Sequence, residues 1–175
     1  MGEKSFMYLA GIVPHSMVDG PGVRMSIFFQ GCIHGCPGCQ NPDTWDPKGG
    51  EHVEVESVIN KIRNTKYLDG ITLSGGDPLL QAEAAGEIAK AAKAMGLDVW
   101  AYTGWTFDEV LSGKAGEKAI EALEYIDVLV DGRFVESLKS SECIFRGSSN
   151  QRLVDVKKSI GSGELIEFFE GERKV

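Results

Sequence analysis

Along this chain, short apolar segments that end on glycine-bearing turns alternate with helix-forming stretches, and no other feature narrows the fold as much. Val23 to Phe29 reads as a buried strand that stops at Gln30-Gly31, and Ile71 to Leu73 begins a second that stops at Ser74-Gly75-Gly76. Leu97 to Tyr102 makes a third, closing on Thr103-Gly104. Ile126 to Val130 makes a fourth, closing on Asp131-Gly132, and Arg152 to Val156 is a fifth candidate. Between them, Val53 to Arg63 sets Val55, Val58, Ile59 and Ile62 on one helical stripe. Leu80 to Met95 is rich in strong helix formers and ends before Gly96, and Ala115 to Leu123 is a shorter helix.

Strands that alternate with helices form a parallel sheet with right-handed crossovers, and such sheets bind ligands at the carboxyl ends of their strands. The turns Gly31-Cys32, Gly75-Gly76-Asp77, Thr103-Gly104 and Asp131-Gly132-Arg133 therefore belong on one rim. A chain of 175 residues, 42% hydrophobic, holds one core and falls short of the roughly 250 residues of a closed eight-stranded barrel. The expected fold is α/β, a mostly parallel sheet curled into a partial, open (β/α) barrel, with residues 1–175 as a single domain free of repeats and linkers. A net charge of -8 with scattered basic residues argues against binding nucleic acid. No apolar run approaches the roughly 20 residues of a membrane span, and MGEKSFMYLA is no signal peptide. A cytoplasmic protein without membrane association is expected.

Three of the four cysteines crowd into the segment Gly31-Cys-Ile-His-Gly-Cys-Pro-Gly-Cys-Gln40, spaced C-x3-C-x2-C. Under reducing conditions such a group serves metal or redox chemistry rather than disulfides. Thiolates this close converge on one centre only if the loop wraps around it, and Gly31, Gly35, Pro37 and Gly38 supply the tight backbone. Structural zinc closes its shell with four protein ligands, whereas a four-iron cubane on three thiolates leaves one iron open to an exogenous molecule. The spacing alone admits both. His34 either completes a zinc site or points at solvent or a neighbour, and Cys143 is either a distant fourth ligand or a small buried hydrophobe.

A cysteine loop after one strand and a Gly-Gly-acid turn after the next resemble the radical S-adenosylmethionine superfamily. The segments VDGPGVR (18–24), GCIHGCPGCQNPDTW (31–45), ITLSGGDPL (71–79), DVLVDGRFV (127–135) and FRGSSNQR (145–152) resemble, within it, the activating proteins of anaerobic ribonucleoside-triphosphate reductase. These blocks run from Val18 to Arg152, and the RGSSNQ block with GCPGC-x-N-x-x-T-W is the specific part. Gln40 departs from the pattern: many superfamily members carry an aromatic residue there, near adenine, whose edge the Gln40 amide can still reach. The segment from Lys157 to Val175 lies outside the blocks and takes no assignment.

The resemblance implies a partial, open radical-SAM barrel with a 4Fe-4S cluster on Cys32, Cys36 and Cys39 and S-adenosylmethionine at the open iron. It implies reductive cleavage of that cofactor and abstraction of a glycine Cα hydrogen on the large glycyl-radical subunit of anaerobic (class III) ribonucleotide reductase. Reduced flavodoxin or a similar donor would supply the electron. Such chemistry belongs to the cofactors, so no catalytic His, Ser or Cys nucleophile is expected. The implied cofactor contacts are Gly38, Cys39 and Gln40 on the loop, Gly75, Gly76 and Asp77 after the second strand, Thr103 and Arg133.

Plainer readings stand beside these: a glycine turn for Gly75-Gly76 and a helix cap for Asp77. Asp131 bonds a ribose hydroxyl, touches the target peptide or caps a strand end. Arg146 is a second anion partner or a surface ion pair, and Trp45, Trp105 and Phe134 are partner-protein anchors or core. Activation of another glycyl radical enzyme, such as pyruvate formate-lyase, is the alternative of the same chemistry. A zinc-stabilised binding module is the alternative of a different class.

Overall fold

The computed structural model of the protein describes residues 2–169. Its strands are β1 (Phe6–Ser16), β2 (Arg24–Phe29), β3 (Glu51–Glu54), β4 (Gly70–Gly75), β5 (Asp98–Tyr102), β6 (Val128–Asp131) and β7 (Arg152–Asp155). The helices are α1 (Val55–Asn64), α2 (Ala82–Ala94), α3 (Phe107–Leu111), α4 (Glu117–Leu123) and α5 (Val156–Ser162). The strands form one 7-stranded sheet in the order β3-β1-β2-β4-β5-β6-β7. The central run β2-β4-β5-β6 is parallel, while β1, β3 and β7 join it through antiparallel pairings. The order ends at β3 on one side and β7 on the other, so the sheet is open.

Alternation of side chains along each strand divides the sheet into two faces. Met25, Ile27 and Phe29 of β2 and Val99 and Ala101 of β5 enter the helix-covered core. That core takes Val55, Val58, Ile59 and Ile62 from α1, the stripe read from the sequence. From α2 come Ala82, Ala84, Ala85, Ile88, Ala89 and Ala92, whose small side chains let the helix lie close to its neighbours. A Cβ added at Gly86 of α2 would meet Ala122 of α4 at 3.5 Å. On the opposite face Trp100, Val128 and Val130 pack with Tyr102, Phe145, Leu153 and Phe168. VRMSIFF is thus mostly buried but two-sided, because Arg24 and Ser26 are sealed into the second face by hydrogen bonds.

Two strands, β1 and β3, and two helices, α3 and α5, escape the sequence pattern. β1 carries irregularities between Leu9 and Gly11 and between Val13 and Ser16, so its alternation is broken. β3 takes residues that read as the start of the first helix, which begins at Val55 rather than Val53. α3 is a short helix held by a capping box, with Thr106 Oγ1 accepting from the Glu109 amide and the Glu109 carboxylate accepting from the Thr106 amide. Pro78–Gln81 forms a 3-10 turn, which moves the start of α2 to Ala82. From the unassigned end of the chain, α5 follows β7 and Phe168 returns to meet Trp100 edge-on at 5.3 Å, while residues 170–175 lie outside the described residues. Among the described residues no helix is long and apolar enough to cross a membrane.

Candidate functional site

The carboxyl ends of the parallel strands open onto a cavity of about 670 Å³. The loop after β2 lines it with Cys32, His34, Cys36, Cys39 and Gln40, and β4 adds Ser74, Gly75 and Gly76. Tyr102, Thr103 and Gly104 close it from β5, and Gly132 and Phe134 from the turn after β6. The strand-end turns read as one rim therefore all contribute to one open cavity. Gly38, Asp77 and Arg133 are not among its lining residues. A smaller depression of about 230 Å³ between α2 and α4 contains no thiol.

Hydrogen bonds from its own flanks shape the cysteine loop. Gly31, at φ 103°, donates its N–H to the Thr44 carbonyl at 2.6 Å, and Cys32 donates to the Trp45 carbonyl at 3.2 Å. Pro42–Thr44 is a 3-10 turn in which Thr44 Oγ1 donates to the Asn41 carbonyl at 2.6 Å. The Gln30 amide donates to the carbonyls of Asp43 and Asp46 at 3.0 and 2.9 Å. The block N-x-x-T-W is therefore the clasp that closes the loop. Inside it, the Asn41 N–H donates to Cys39 Sγ at 3.4 Å.

Cys32, Cys36 and Cys39 are free and half-buried. Burial pushes the Cys32 thiol above its ordinary value; a hydrogen bond from the His34 backbone pulls it back, and Asp77, Cys36 and Cys39 push it up again. A bound metal reverses that balance by holding the thiolate. The three thiols line a common cavity, a donor set that fits a cubane taking its thiolates at separate corners.

The glycines after β4 are required first by packing. Gly75 has φ 97°, and a Cβ there would lie 2.5 Å from the Phe29 backbone; at Gly76 it would collide with the Gly31 carbonyl oxygen. The Gly76 N–H donates to the Phe29 carbonyl and the Asp77 N–H to the Gly31 carbonyl, both at 2.8 Å. Backbone cannot yield as a side chain can, so Gly76→Ala is expected to destabilise the protein by about 1–3 kcal/mol. Thermal unfolding followed by circular dichroism checks this, at roughly 2–4 °C per kcal/mol. An unaltered melting curve would show that the two turns do not need this approach.

Asp77 is 2% exposed and its carboxylate is fully engaged. Oδ1 accepts from the Leu79 N–H at 2.9 Å, the cap already read for it. Thr103 Oγ1 donates to the carboxylate at 2.8 Å, and the Gly104 N–H at 3.0 Å. The Thr103 hydroxyl hydrogen is thereby spent, and its oxygen accepts from the Trp105 N–H at 3.2 Å. Arg133, half-exposed, lies over the Trp105 ring at 5.5 Å and pairs with Glu109 at 3.7 Å. Gly38, at φ 76°, packs where a Cβ would meet the Glu136 carboxylate at 2.7 Å.

The RGSSNQR block fastens the turn after β6. Gln151 Oε1 accepts from the amides of Gly147 and Ser148, and its Nε2 donates to the Gly132 carbonyl at 2.9 Å. Asn150 donates to the Arg133 carbonyl at 2.8 Å. Arg152 grips Asp131 with contacts of 3.1 and 2.6 Å, and Asp131 also accepts from the Phe107 N–H at 2.7 Å, so it anchors the start of α3. Arg146 lines the cavity and donates through Nη1 to the Gln151 carbonyl at 2.9 Å. Its Nε is buried with no hydrogen-bond partner among the described residues. Cys143 also lines the cavity, half-buried, and is not the core hydrophobe its isolation implies.

Tyr102 gave no signal in the sequence beyond strand pattern, whereas Asp19 belongs to the VDGPGVR block and lines the cavity. Tyr102 donates to the Phe145 carbonyl at 2.5 Å, and its burial pushes the hydroxyl well above its usual range. Asp19 of the VDGPG turn accepts from the hydroxyls of Ser16 and Ser26, both at 2.7 Å. Of the aromatic residues proposed as anchors, Trp45 is 37% exposed, Phe134 faces the cavity, and Trp105 packs between His34 and Arg133.

Several known proteins are similar to this chain. The family described as 4Fe-4S single cluster domain matches residues 18–154. The anaerobic ribonucleoside-triphosphate reductase-activating protein of Escherichia coli (strain K12) is 39% identical over 147 residues, which cover 79% of this chain and 92% of that protein. The protein of the same name from Enterobacteria phage T4 is 35% identical over 148 residues, covering 81% and 90%. Among solved structures, QueE from Escherichia coli aligns with a TM-score of 0.44 at 13% identity, over 73% of this chain and 71% of that one. The class is that of activating proteins that carry a 4Fe-4S single cluster domain. Within it, the chain belongs to the family of anaerobic ribonucleoside-triphosphate reductase-activating proteins.

Proposed function

We propose that Cys32, Cys36 and Cys39 hold a 4Fe-4S cluster, that S-adenosylmethionine binds in the adjoining cavity, and that the protein places a radical on a glycine of an anaerobic ribonucleotide reductase. The observation that carries this reading is that the three thiols, the Gly75-Gly76 turn and the Thr103-Gly104 turn face one cavity. A cluster held by Cys32, Cys36 and Cys39 would, when reduced, supply one-electron reduction of a sulfonium bound in the cavity, the chemistry needed to remove a glycine Cα hydrogen.

The chain's own residues bind and orient. Gly75 and Gly76 present backbone carbonyls without a Cβ, which suits the methionyl ammonium. Arg146, with its buried Nε unpartnered among the described residues, is the cavity donor free to meet the methionyl carboxylate. Arg133 lies outside the lining, so its part is to stack on Trp105 and brace the rim. Gln40 offers an amide for the adenine edge, and Asp77 and Thr103 act through the turns they tie together.

The test is anaerobic reconstitution with iron and sulfide, reduction by dithionite or reduced flavodoxin, and mixing with S-adenosylmethionine and a class III reductase. The expected result is a glycyl doublet in electron paramagnetic resonance together with released 5'-deoxyadenosine. A doublet on pyruvate formate-lyase but not on the reductase would move the assignment to that partner. A colourless zinc protein without visible absorbance would end the reading.

A further inference from the structure

We propose that His34 and Asp77 form a positioning pair that sets the cluster loop against the two strand-end turns, so that His34 governs the cluster's hold and electronic environment without touching substrate. This rests on the cluster assignment proposed above. Between Cys32 and Cys36 the loop turns outward: Ile33 is 64% exposed and a Cβ at Gly35 would meet nothing within 4 Å. His34 alone turns in, its side chain 3% exposed, with Nε2 donating to Asp77 Oδ2 at 2.6 Å. The ring is confined on other sides as well. Its partner Trp105 meets it edge-on at 5.1 Å, and a Cβ at Gly104 would collide with the imidazole.

Asp77 is the shared acceptor. The same carboxylate receives the Leu79 N–H from the turn after β4, and Thr103 Oγ1 and the Gly104 N–H from the turn after β5. His34 therefore ties the middle of the cysteine loop to the turns after β4 and β5. A carboxylate-oriented imidazole beside metal ligands is an outer-shell arrangement, and loss of such partners commonly lowers metal affinity by about 10–100-fold. Removing the imidazole frees the span between two ligand cysteines while leaving the clasp at Thr44 and Trp45 intact.

The experiment compares reconstituted wild type, His34→Leu and His34→Gln for the rate of cluster loss to a chelator, the midpoint potential, and the resonance spectrum of the reduced cluster. In His34→Leu, cluster loss is expected to be about 10-fold faster or more, with a shifted potential and spectrum. His34→Gln, which retains an amide donor toward Asp77, is expected to restore most of both. Wild-type loss rate, potential and spectrum in His34→Leu overturn the proposal, even if its melting temperature falls. If that variant does not fold, Asp77→Asn is read by the same criteria. Failure of both to fold also overturns the proposal, since the pair would then serve the fold rather than the cluster. Wild-type protein that takes up no cluster would instead defeat the functional reading on which this one rests.

Discussion

Alanine at Cys32, Cys36 or Cys39 is expected to abolish the broad visible absorbance of the anaerobically reconstituted protein, while Cys143→Ala is expected to leave it intact. Each loop thiol is a deprotonated ligand in the proposed site, and alanine removes an anionic donor that no neighbour replaces. His34 is the nearest substitute by sequence, but its Nε2 is committed to Asp77 at 2.6 Å. Cys143 is the demanding control because it faces the same cavity. If Cys143→Ala alone bleached the protein, the cluster would be held by four thiolates and would have no iron available to an incoming sulfonium compound. Iron and sulfide content measured beside the absorbance distinguishes loss of the cluster from a change in its colour. The chain's own apo fold is expected to survive each substitution, because the clasp from Gly31 and Cys32 to Thr44 and Trp45 uses backbone groups alone.

Arg24→Leu is expected to produce a large loss of stability. Arg24 is 0% exposed. Its Nε donates to Thr72 Oγ1 at 2.8 Å, Nη1 to the Pro21 carbonyl at 3.0 Å and Nη2 to the Ile71 carbonyl at 2.7 Å. Nη2 also meets Asp98 at 2.5 Å, and the guanidinium lies 5.6 Å from the centre of the Trp100 ring. Leucine would strip donors from buried carbonyls and leave the Asp98 carboxylate without its cation, at a cost of about 3–5 kcal/mol. That corresponds to a melting temperature lower by roughly 6–20 °C. Thr72 in turn donates to the Asp19 carbonyl at 2.7 Å, so the turn that brings Val18 and Asp19 to the cavity should loosen too. Arg24→Lys keeps the charge but not the planar fork, and should recover only part of the loss. A melting temperature unchanged in Arg24→Leu would mean that this network is not what closes the second face.

Much of the framework was legible because short-range physics writes it. The central parallel strands, the α1 stripe and the alanine-rich α2 each show in periodicity and composition, and the glycine turns mark where strands stop. The broken alternation of β1 and the brevity of β3 leave no comparable trace, so the antiparallel edge went unread. Arg24 sat inside an apolar run and read as part of a uniformly buried strand, because a linear pattern does not reveal that a buried charge has been given partners from Pro21, Ile71, Thr72 and Asp98.

By itself the amino-acid sequence determined the spacing of the three cysteines, the glycines that let backbone turns meet, and the order of strand and helix that sends those turns to one rim. Tertiary structure alone decided which side chains face the cavity and which hold its walls. Asp77 was spent on protein donors, Arg133 was turned onto Trp105, and Arg146 was brought to the lining with an Nε lacking a partner among the described residues. The reason is that a side chain's hydrogen-bond capacity is finite and is claimed by whatever packing brings within reach. Spacing along a chain sets which groups are near neighbours in sequence, but only the closed fold allots each donor and acceptor to a partner or leaves it free for a ligand.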